Sequence, residues 1–400
     1  MSEPVSRPRL IFTLCFLAGL CEGYDMLVAG IAAPKFAPVF GLNPEQLGWV
    51  FSASTFGLFV GALAGGRLAD RIGRRAVVIG SLILLGVFSI GSALVGDLPG
   101  LLAMRFATGL GLGGVLPNIL ALTSESAPRP ERAAARVTLL GSAMPFGGAI
   151  LGVLSAAMPD LDWRVVFWIG GLAPLVVAAI MAFALPESTA FRRADRTRTS
   201  ISEALRGDGR LAASILIWTS SFFVALSLYL MINWLPSMLT GRGFDRGSVG
   251  MAIMMLTFGG AASGLVFGPL SRSRRKALLY VACWAGIIAS VAAMALPARD
   301  ALIAAAASFG VGFFLSGGQF LLYALATQLY PDHVRGSGVG FAVGIGRLGA
   351  VAGPLLAGVL FMADRGAAVV ALAILPLILL SLATALPLLR RIEPARPATA

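Results

Sequence analysis

Charge is scarce in this chain. Only 12% of its 400 residues are charged, about half the share found in a soluble domain, while 58% are hydrophobic. A soluble fold has too little surface area to hide so much apolar side chain, so a bilayer must solvate much of it. Histidine is reduced to His333, which excludes a His-Glu-x-x-His metal site, and no Gly-x-Ser-x-Gly elbow occurs. An enzyme is therefore not expected, nor a metal or cofactor. Cys15, Cys21 and Cys283 fall inside apolar runs, where thiols act as small apolar groups and imply no disulfide framework. Long polar loops are also missing, which leaves no soluble signalling domain.

What remains is a series of apolar stretches, each near the roughly 20 residues a spanning helix needs. They run over 10–34, 46–66, 76–96, 98–123, 136–158 and 163–185, then 211–239, 248–270, 277–297, 301–326, 337–362 and 366–389. Each is continuously apolar, whereas the strands of a membrane barrel alternate. The first has a basic start like a signal peptide, but it continues past Glu22 and Asp25 without a small-residue cleavage site. It is expected to stay as an uncleaved span.

The net charge of +12 suits nucleic acid in principle, but its placement points elsewhere. Of the 31 basic residues, 23 fall at the termini and in the even-numbered breaks, six in the odd-numbered breaks, and Arg105 and Arg347 inside spans. That bias puts both termini in the cytoplasm by the positive-inside rule. The partners expected are lipid, a small substrate and protons rather than nucleic acid.

An offset of 203 residues lays one half of the chain on the other. Gly65 meets Gly268, Arg71 meets Arg274, Gly114 meets Gly317, Pro128 meets Pro331 and Gly141 meets Gly344. The expected fold is all-α, with twelve transmembrane helices in two six-helix bundles over 1–186 and 210–400, joined by a basic cytoplasmic linker at 187–209. Repeats of this kind bind substrate between them near the midplane. Gly57, Gly61 and Gly65, and Gly109 and Gly113, recur every four residues, a spacing that brings helices close in lipid. Gly-Leu-Gly-Leu-Gly-Gly at 109–114 looks like a dinucleotide fingerprint but follows no strand, so helix packing is the better reading.

The break after the second span reads Gly66-Arg67-Leu68-Ala69-Asp70-Arg71-Ile72-Gly73-Arg74-Arg75 and resembles the signature loop of the major facilitator superfamily. Its repeat at 268–276 keeps the basic residues but has Ser273 in place of Asp70. Arg105 with Gly109, Gly111 and Gly113 resembles a second signature, and Gly141, Pro145, Gly147 and Gly148 a third. Within the superfamily, Glu22-Gly23-Tyr24-Asp25 is similar to the first span of the aromatic acid:proton symporters. The runs at 116–125, 317–326, 346–350 and 353–358 resemble their 3-(3-hydroxyphenyl)propionate transporter branch, as does Glu in place of the commoner Asp at position 22. The resemblance implies import of an aromatic carboxylate with protons across a bacterial inner membrane, and a monomer. It also implies a gating cluster of Asp70, Arg71, Arg74 and Glu125 at the inner mouth; the alternative is a solvated loop that only sets topology.

Of 19 acidic residues only Glu22 and Asp25 lie well inside a span, and an ionisable group at that depth is a functional candidate. Three apart, they share a helix face and are the candidates for proton coupling. By helical rise Asp25 lies about 14 Å and Arg105 about 10 Å below the outer surface, so the two can meet. Arg105 is then either a switch or a structural counter-ion. Arg347 is the sole charge within a span of the second half. Its fork suits a substrate carboxylate; the alternative is bonding to helix-end carbonyls. Gln319, Tyr323 and Asn233, with Tyr24, complete the expected substrate set, either reading a ring hydroxyl or bonding between helices. Trp218, Phe222, Phe223 and Tyr229 offer an aromatic wall. An anion entering an inside-negative cell costs about 2.3 kcal/mol per 100 mV, which one proton cancels. The rival reading is a proton-antiport exporter of drugs or metabolites.

Overall fold

A computed structural model describes residues 8–126, 136–137, 139–186, 210–270, 276–297, 300–330, 335–363 and 366–392, the side chains of Asp70, 335–337 and 390–392 excepted. All regular structure among them is helical. The first half holds α1 (Pro8–Phe40), α2 (Pro44–Ile72), α3 (Arg74–Leu94), α4 (Leu98–Glu125), α5 (Ala143–Ala157) and α6 (Trp163–Ala184). The second holds α7 (Leu211–Gly241), α8 (Arg246–Leu270), α9 (Lys276–Ala295), α10 (Ala301–Leu329), α11 (Arg335–Met362), α12 (Ala367–Leu372) and α13 (Ile374–Ile392). Twelve spans are long and apolar enough to cross a membrane, α12 and α13 together making the last. An even number of crossings puts both termini at one end, here the terminal end; the opposite one is the far end.

Acidic and amide caps start the helices at the far end. Asn43 and Gln46 form a capping box ahead of Pro44, Asp97 accepts from Gly100 N and Asp162 from Arg164 N. Asp300 accepts from Leu302 N. Asp245 accepts from the amide and hydroxyl of Ser248, which hold its carboxyl below the ordinary carboxylate range. Each carboxylate satisfies orphan amides and the positive helix end. At the terminal end, Gly73 at φ +95° separates α2 from α3 in a conformation that side chains resist.

Two spans depart from the sequence reading. α1 continues past residue 34 through Pro34 and Pro38 to Phe40, since proline deletes a helical bond without always ending the helix. The extra turn lets the Lys35 amine donate to Pro159 O at 2.8 Å and to Leu161 O. The last span breaks at Ala373, four residues after Val369 and three before Pro376. Pro376 has no N–H and its ring crowds the carbonyl of Leu372, where α12 stops. The expected linker at 187–209 lies outside the described residues. Cys15, Cys21 and Cys283 are buried and free.

Glycine sets the helix spacing in both bundles. In the first, α2 packs on α4 and α3 on α4 and α6; in the second, α8 packs on α10 and α11 on α7. A methyl on Gly109 would sit 2.0 Å from Ser54 O, and its repeat equivalent Gly312 1.9 Å from Leu256 O. Likewise Gly23 would meet Met144 O at 1.9 Å on α5, and Gly349 Phe222 O at 2.1 Å on α7. These are backbone contacts, which no rotamer change relieves. A methyl on Gly113 would reach both Leu58 O at 2.2 Å and Ala62 N at 2.4 Å, whereas one on Gly80 meets nothing within 4 Å. Gly113→Ala should therefore lose most of the monodisperse protein in detergent size-exclusion, and Gly80→Ala should elute as wild type. Equal yields from the two variants would show that α2 and α4 do not depend on this approach.

The bundles meet through α2 on α11, α5 on α8 and α1 on α7. Close approaches cluster towards the far end. A methyl on Gly48 would lie 2.9 Å from Pro354 O, one on Gly250 2.6 Å from Ala156 N, and Ser52 Oγ donates to Val351 O at 2.8 Å. Arg246 on α8 donates to Asp160 Oδ1 at 2.7 Å and Pro159 O at 3.0 Å, so the loop that Lys35 holds from one bundle is also held from the other.

Candidate functional site

Midway along α1, neighbouring side chains point in different directions. At about 100° per residue, Tyr24 and Met26 lie on either side of Asp25, and Glu22 falls about 60° round towards Met26. Asp25 therefore points into the first bundle while Glu22 turns towards the second.

Asp25 is fully buried and Arg105 of α4 is 1% exposed. Arg105 Nη2 donates to Asp25 Oδ2 at 2.9 Å, and Nη1 to Oδ1 at 3.4 Å. Ser89 of α3 donates to Asp25 Oδ1 at 3.0 Å, Ser54 of α2 receives Arg105 Nη2 at 3.2 Å, and the Phe167 ring of α6 lies 5.5 Å from the guanidinium. Five helices of one bundle thus surround one ion pair. The Arg105 Nε–H is left without a partner. Charges this deep persist only when paired and hydrogen-bonded, and a proton on Asp25 would remove the attraction that closes the pair.

The second centre lies between the bundles. Arg347 of α11 donates from Nη1 to the Tyr229 hydroxyl of α7 at 2.6 Å, not to a helix-end carbonyl. It is within electrostatic reach of Glu22, Tyr229 and Tyr323. Glu22 is 1% exposed, its Oε2 has no partner, and it forms no ion pair among the described residues. Gln319 sits beside the Tyr323 hydroxyl, with its Nε2 buried and unpartnered. Two unsatisfied buried groups beside an arginine fork cost free energy unless something binds them. Arg347, Glu22, Gln319 and Tyr323 therefore form a buried polar cluster with hydrogen-bonding capacity left over.

A cavity of about 10 Å³, room for one water, separates the two centres. Arg105, Ser54 and Thr55 line it from the first bundle, Tyr229 and Asn233 from the second.

These features are those of a membrane carrier with its polar groups at the bundle interface, and the comparisons agree. The model of the Major Facilitator Superfamily matches residues 15–354. The chain belongs to that superfamily. It is 40% identical over 91% of its length, and 90% of the relative's, to a 3-(3-hydroxy-phenyl)propionate transporter of Escherichia coli (strain K12). To a 4-hydroxybenzoate transporter of Pseudomonas aeruginosa it is 31% identical, over 86% of this chain and 84% of that one. The crystal structure of a D-xylose-proton symporter superposes with a TM-score of 0.76 at 15% identity, covering 95% of this chain and 97% of the other. The protein is thus a multi-pass membrane transporter and not an enzyme.

The remaining candidates of this major facilitator chain divide. Tyr24 does not face the interface. Its hydroxyl donates to Val166 O at 3.1 Å and its ring packs on Gly170 of α6, so it belongs to the interior of the first bundle. Asn233 lines the cavity, but its amide donates to Tyr229 O at 2.8 Å in its own helix. Arg74 and Glu125 form an ion pair that ties the start of α3 to the end of α4, both in the first bundle. Arg71 is exposed, and the Asp70 side chain lies outside the described residues. Sequence reading missed Ser89 and Ser54, because serines recur through the spans and nothing marks these two. It had placed Tyr229 only in an aromatic wall, and its hydroxyl proves the more informative part.

Proposed function

We propose that the protein imports an aromatic carboxylate together with protons across a bacterial inner membrane, as a monomer with both termini in the cytoplasm. The observation that carries this reading is Arg347 at the bundle interface, held by a neutral tyrosine rather than by a carboxylate, with Glu22 and Gln319 unsatisfied beside it. The transported acid supplies the missing carboxylate to the fork. Gln319, Tyr323 and Asn233 take its polar ring substituents. Asp25 carries the proton, Arg105 responds to its arrival, and Glu22 is the second proton site. The Arg74–Glu125 pair, with Asp70 and Arg71, controls the cytoplasmic mouth. The names of the relatives, carriers of hydroxylated aromatic acids, support the substrate class.

The test is uptake of radiolabelled 3-(3-hydroxyphenyl)propionate or 4-hydroxybenzoate into proteoliposomes under an imposed inward proton gradient. Accumulation that collapses when a protonophore is added is the expected result. Failure of both acids, with efflux of other compounds driven by the reversed gradient, would replace import by export.

A further inference from the structure

A substrate centre at Arg347 and a proton centre at Asp25 can act together only if one senses the other. Tyr229 is the side chain that touches both Arg347 and the cavity beside Arg105. Tyr229 is 8% exposed and accepts from Arg347 Nη1 at 2.6 Å. Its own hydroxyl proton is directed at Met26 Sδ, 3.7 Å away in the other bundle, and sulfur is a weak acceptor. The same residue lines the one-water cavity whose opposite wall includes Arg105, and Arg105 Nε is buried and unpartnered. A water of that size of cavity needs two to four polar partners to be stable, and Arg105, Tyr229, Asn233 and Thr55 supply them.

We infer that Tyr229 is the positioning residue that couples the two centres, holding Arg347 for the substrate and reaching Arg105 through one water in the cavity between the bundles. This rests on the carboxylate reading of Arg347. A substrate carboxylate competes with the tyrosine oxygen for the Arg347 N–H. Once that bond is given up, the hydroxyl turns, its contact with the water changes, and so does the hydrogen bonding of Arg105 at the face Asp25 leaves free. No covalent bond changes; only hydrogen bonds are exchanged.

Few other groups compete. Of the helices packed on α7, α11 brings Arg347, α10 brings Tyr323 and Gln319, and α1 brings Glu22, while α8, α12 and α13 bring no charged group to this depth. Around Asp25, α4 brings Arg105 and α3 the neutral Ser89; the charged residues of α2 and α6 lie at their ends, and α5 has none.

Linkage gives a direct readout. If protonation and substrate binding are coupled, the affinity for substrate changes with pH by at most the coupling factor, typically about 5–150-fold. Binding of tritiated 3-(3-hydroxyphenyl)propionate, an anion throughout, is measured on the purified full chain at pH 6 and pH 8. The wild type should bind more tightly at pH 6, by no more than the coupling factor. In Tyr229→Phe that ratio should fall to the share that Glu22 contributes directly beside Arg347, with Kd at pH 6 raised by no more than about tenfold, since Arg347 loses a guide but not its charge. A variant that keeps the wild-type ratio overturns the inference whatever its absolute affinity. Should Tyr229→Phe not fold, Thr55→Val replaces one hydroxyl of the opposite cavity wall, beside Arg105, with a methyl of similar size. A reduced ratio there supports the water link and an unchanged one removes it. A wild type whose affinity is equal at pH 6 and pH 8 would remove the coupling, and proton-driven uptake into proteoliposomes decides proton transport separately. Wild-type binding by Arg347→Gln would remove the carboxylate assignment and with it the competition for Arg347, whereas weakened binding in Arg347→Gln beside an unchanged ratio in Tyr229→Phe would remove the link alone.

Discussion

Asp25→Asn should abolish proton-driven accumulation and destabilise the protein by about 3–5 kcal/mol, the cost of leaving one partner of a buried ion pair alone. Arg105 is 1% exposed, with no other carboxylate among the hydrogen-bond partners of its guanidinium. Asparagine offers one oxygen where aspartate offered two, and no charge. Loss of transport in this variant alone would therefore not separate a proton carrier from a structural counter-ion. The double variant Asp25→Asn/Arg105→Gln does. Exchanging a buried ion pair for a neutral pair of similar volume is often close to neutral for stability, so the melting temperature should return most of the way to wild type. If Asp25 carries the proton, accumulation stays absent while the fold is restored; if the pair is only a brace, accumulation returns with the fold. Thermal melting followed by tryptophan fluorescence, beside proteoliposome uptake, reads both quantities.

How much of this was legible in the sequence follows from the solvent. In a bilayer every backbone group must be satisfied within its own segment, so spans appear as continuous apolar runs, and all twelve were readable. Their ends were less so. Pro34 and Pro38 look like stop signals yet lie inside α1, while Pro376 does break its helix, because only tertiary packing decides whether a proline is bent around or ends the segment. The α2–α4 approach was readable from the four-residue glycine spacing, because only glycine permits contacts of this kind. The charged centres were readable for the opposite reason, scarcity: an acid or arginine at mid-depth is rare enough to mark itself.

Direction round the helix was not legible. Spans apolar on nearly every side give no stripe from which to infer rotation, so Tyr24, next to Asp25 in sequence, was placed with the substrate although it turns about 100° away to meet Val166. Ser89 and Ser54 were invisible for a related reason. A serine in a spanning helix usually bonds its own backbone, as Ser92 does with Phe88 O and Ser227 with Phe223 O, and only the folded arrangement turns two of them to the ion pair.

Arg347→Gln should weaken binding of the aromatic acid about 100- to 1,000-fold, in line with the loss of one partner of a desolvated charge pair. A drop of that size alone is also what a collapsed pocket would give, since Arg347 is anchored by Tyr229 and its removal disturbs that contact. The substrate supplies the control. An alcohol in place of the carboxylate, as in 3-(3-hydroxyphenyl)propan-1-ol, keeps the ring and its hydroxyl but has no charge for the guanidinium. The wild type should prefer the acid strongly over the alcohol, and Arg347→Gln should erase that preference while binding the alcohol about as the wild type does. The difference between the two ligands across the two proteins isolates the arginine–carboxylate interaction from general damage. Arg347→Lys falls between, because a lysine keeps the charge but loses the planar fork, and three donors on a mobile stem replace five fixed ones. A preference for acid over alcohol that survives Arg347→Gln would move the carboxylate site to another part of the interface and leave Arg347 as a helix-to-helix tie.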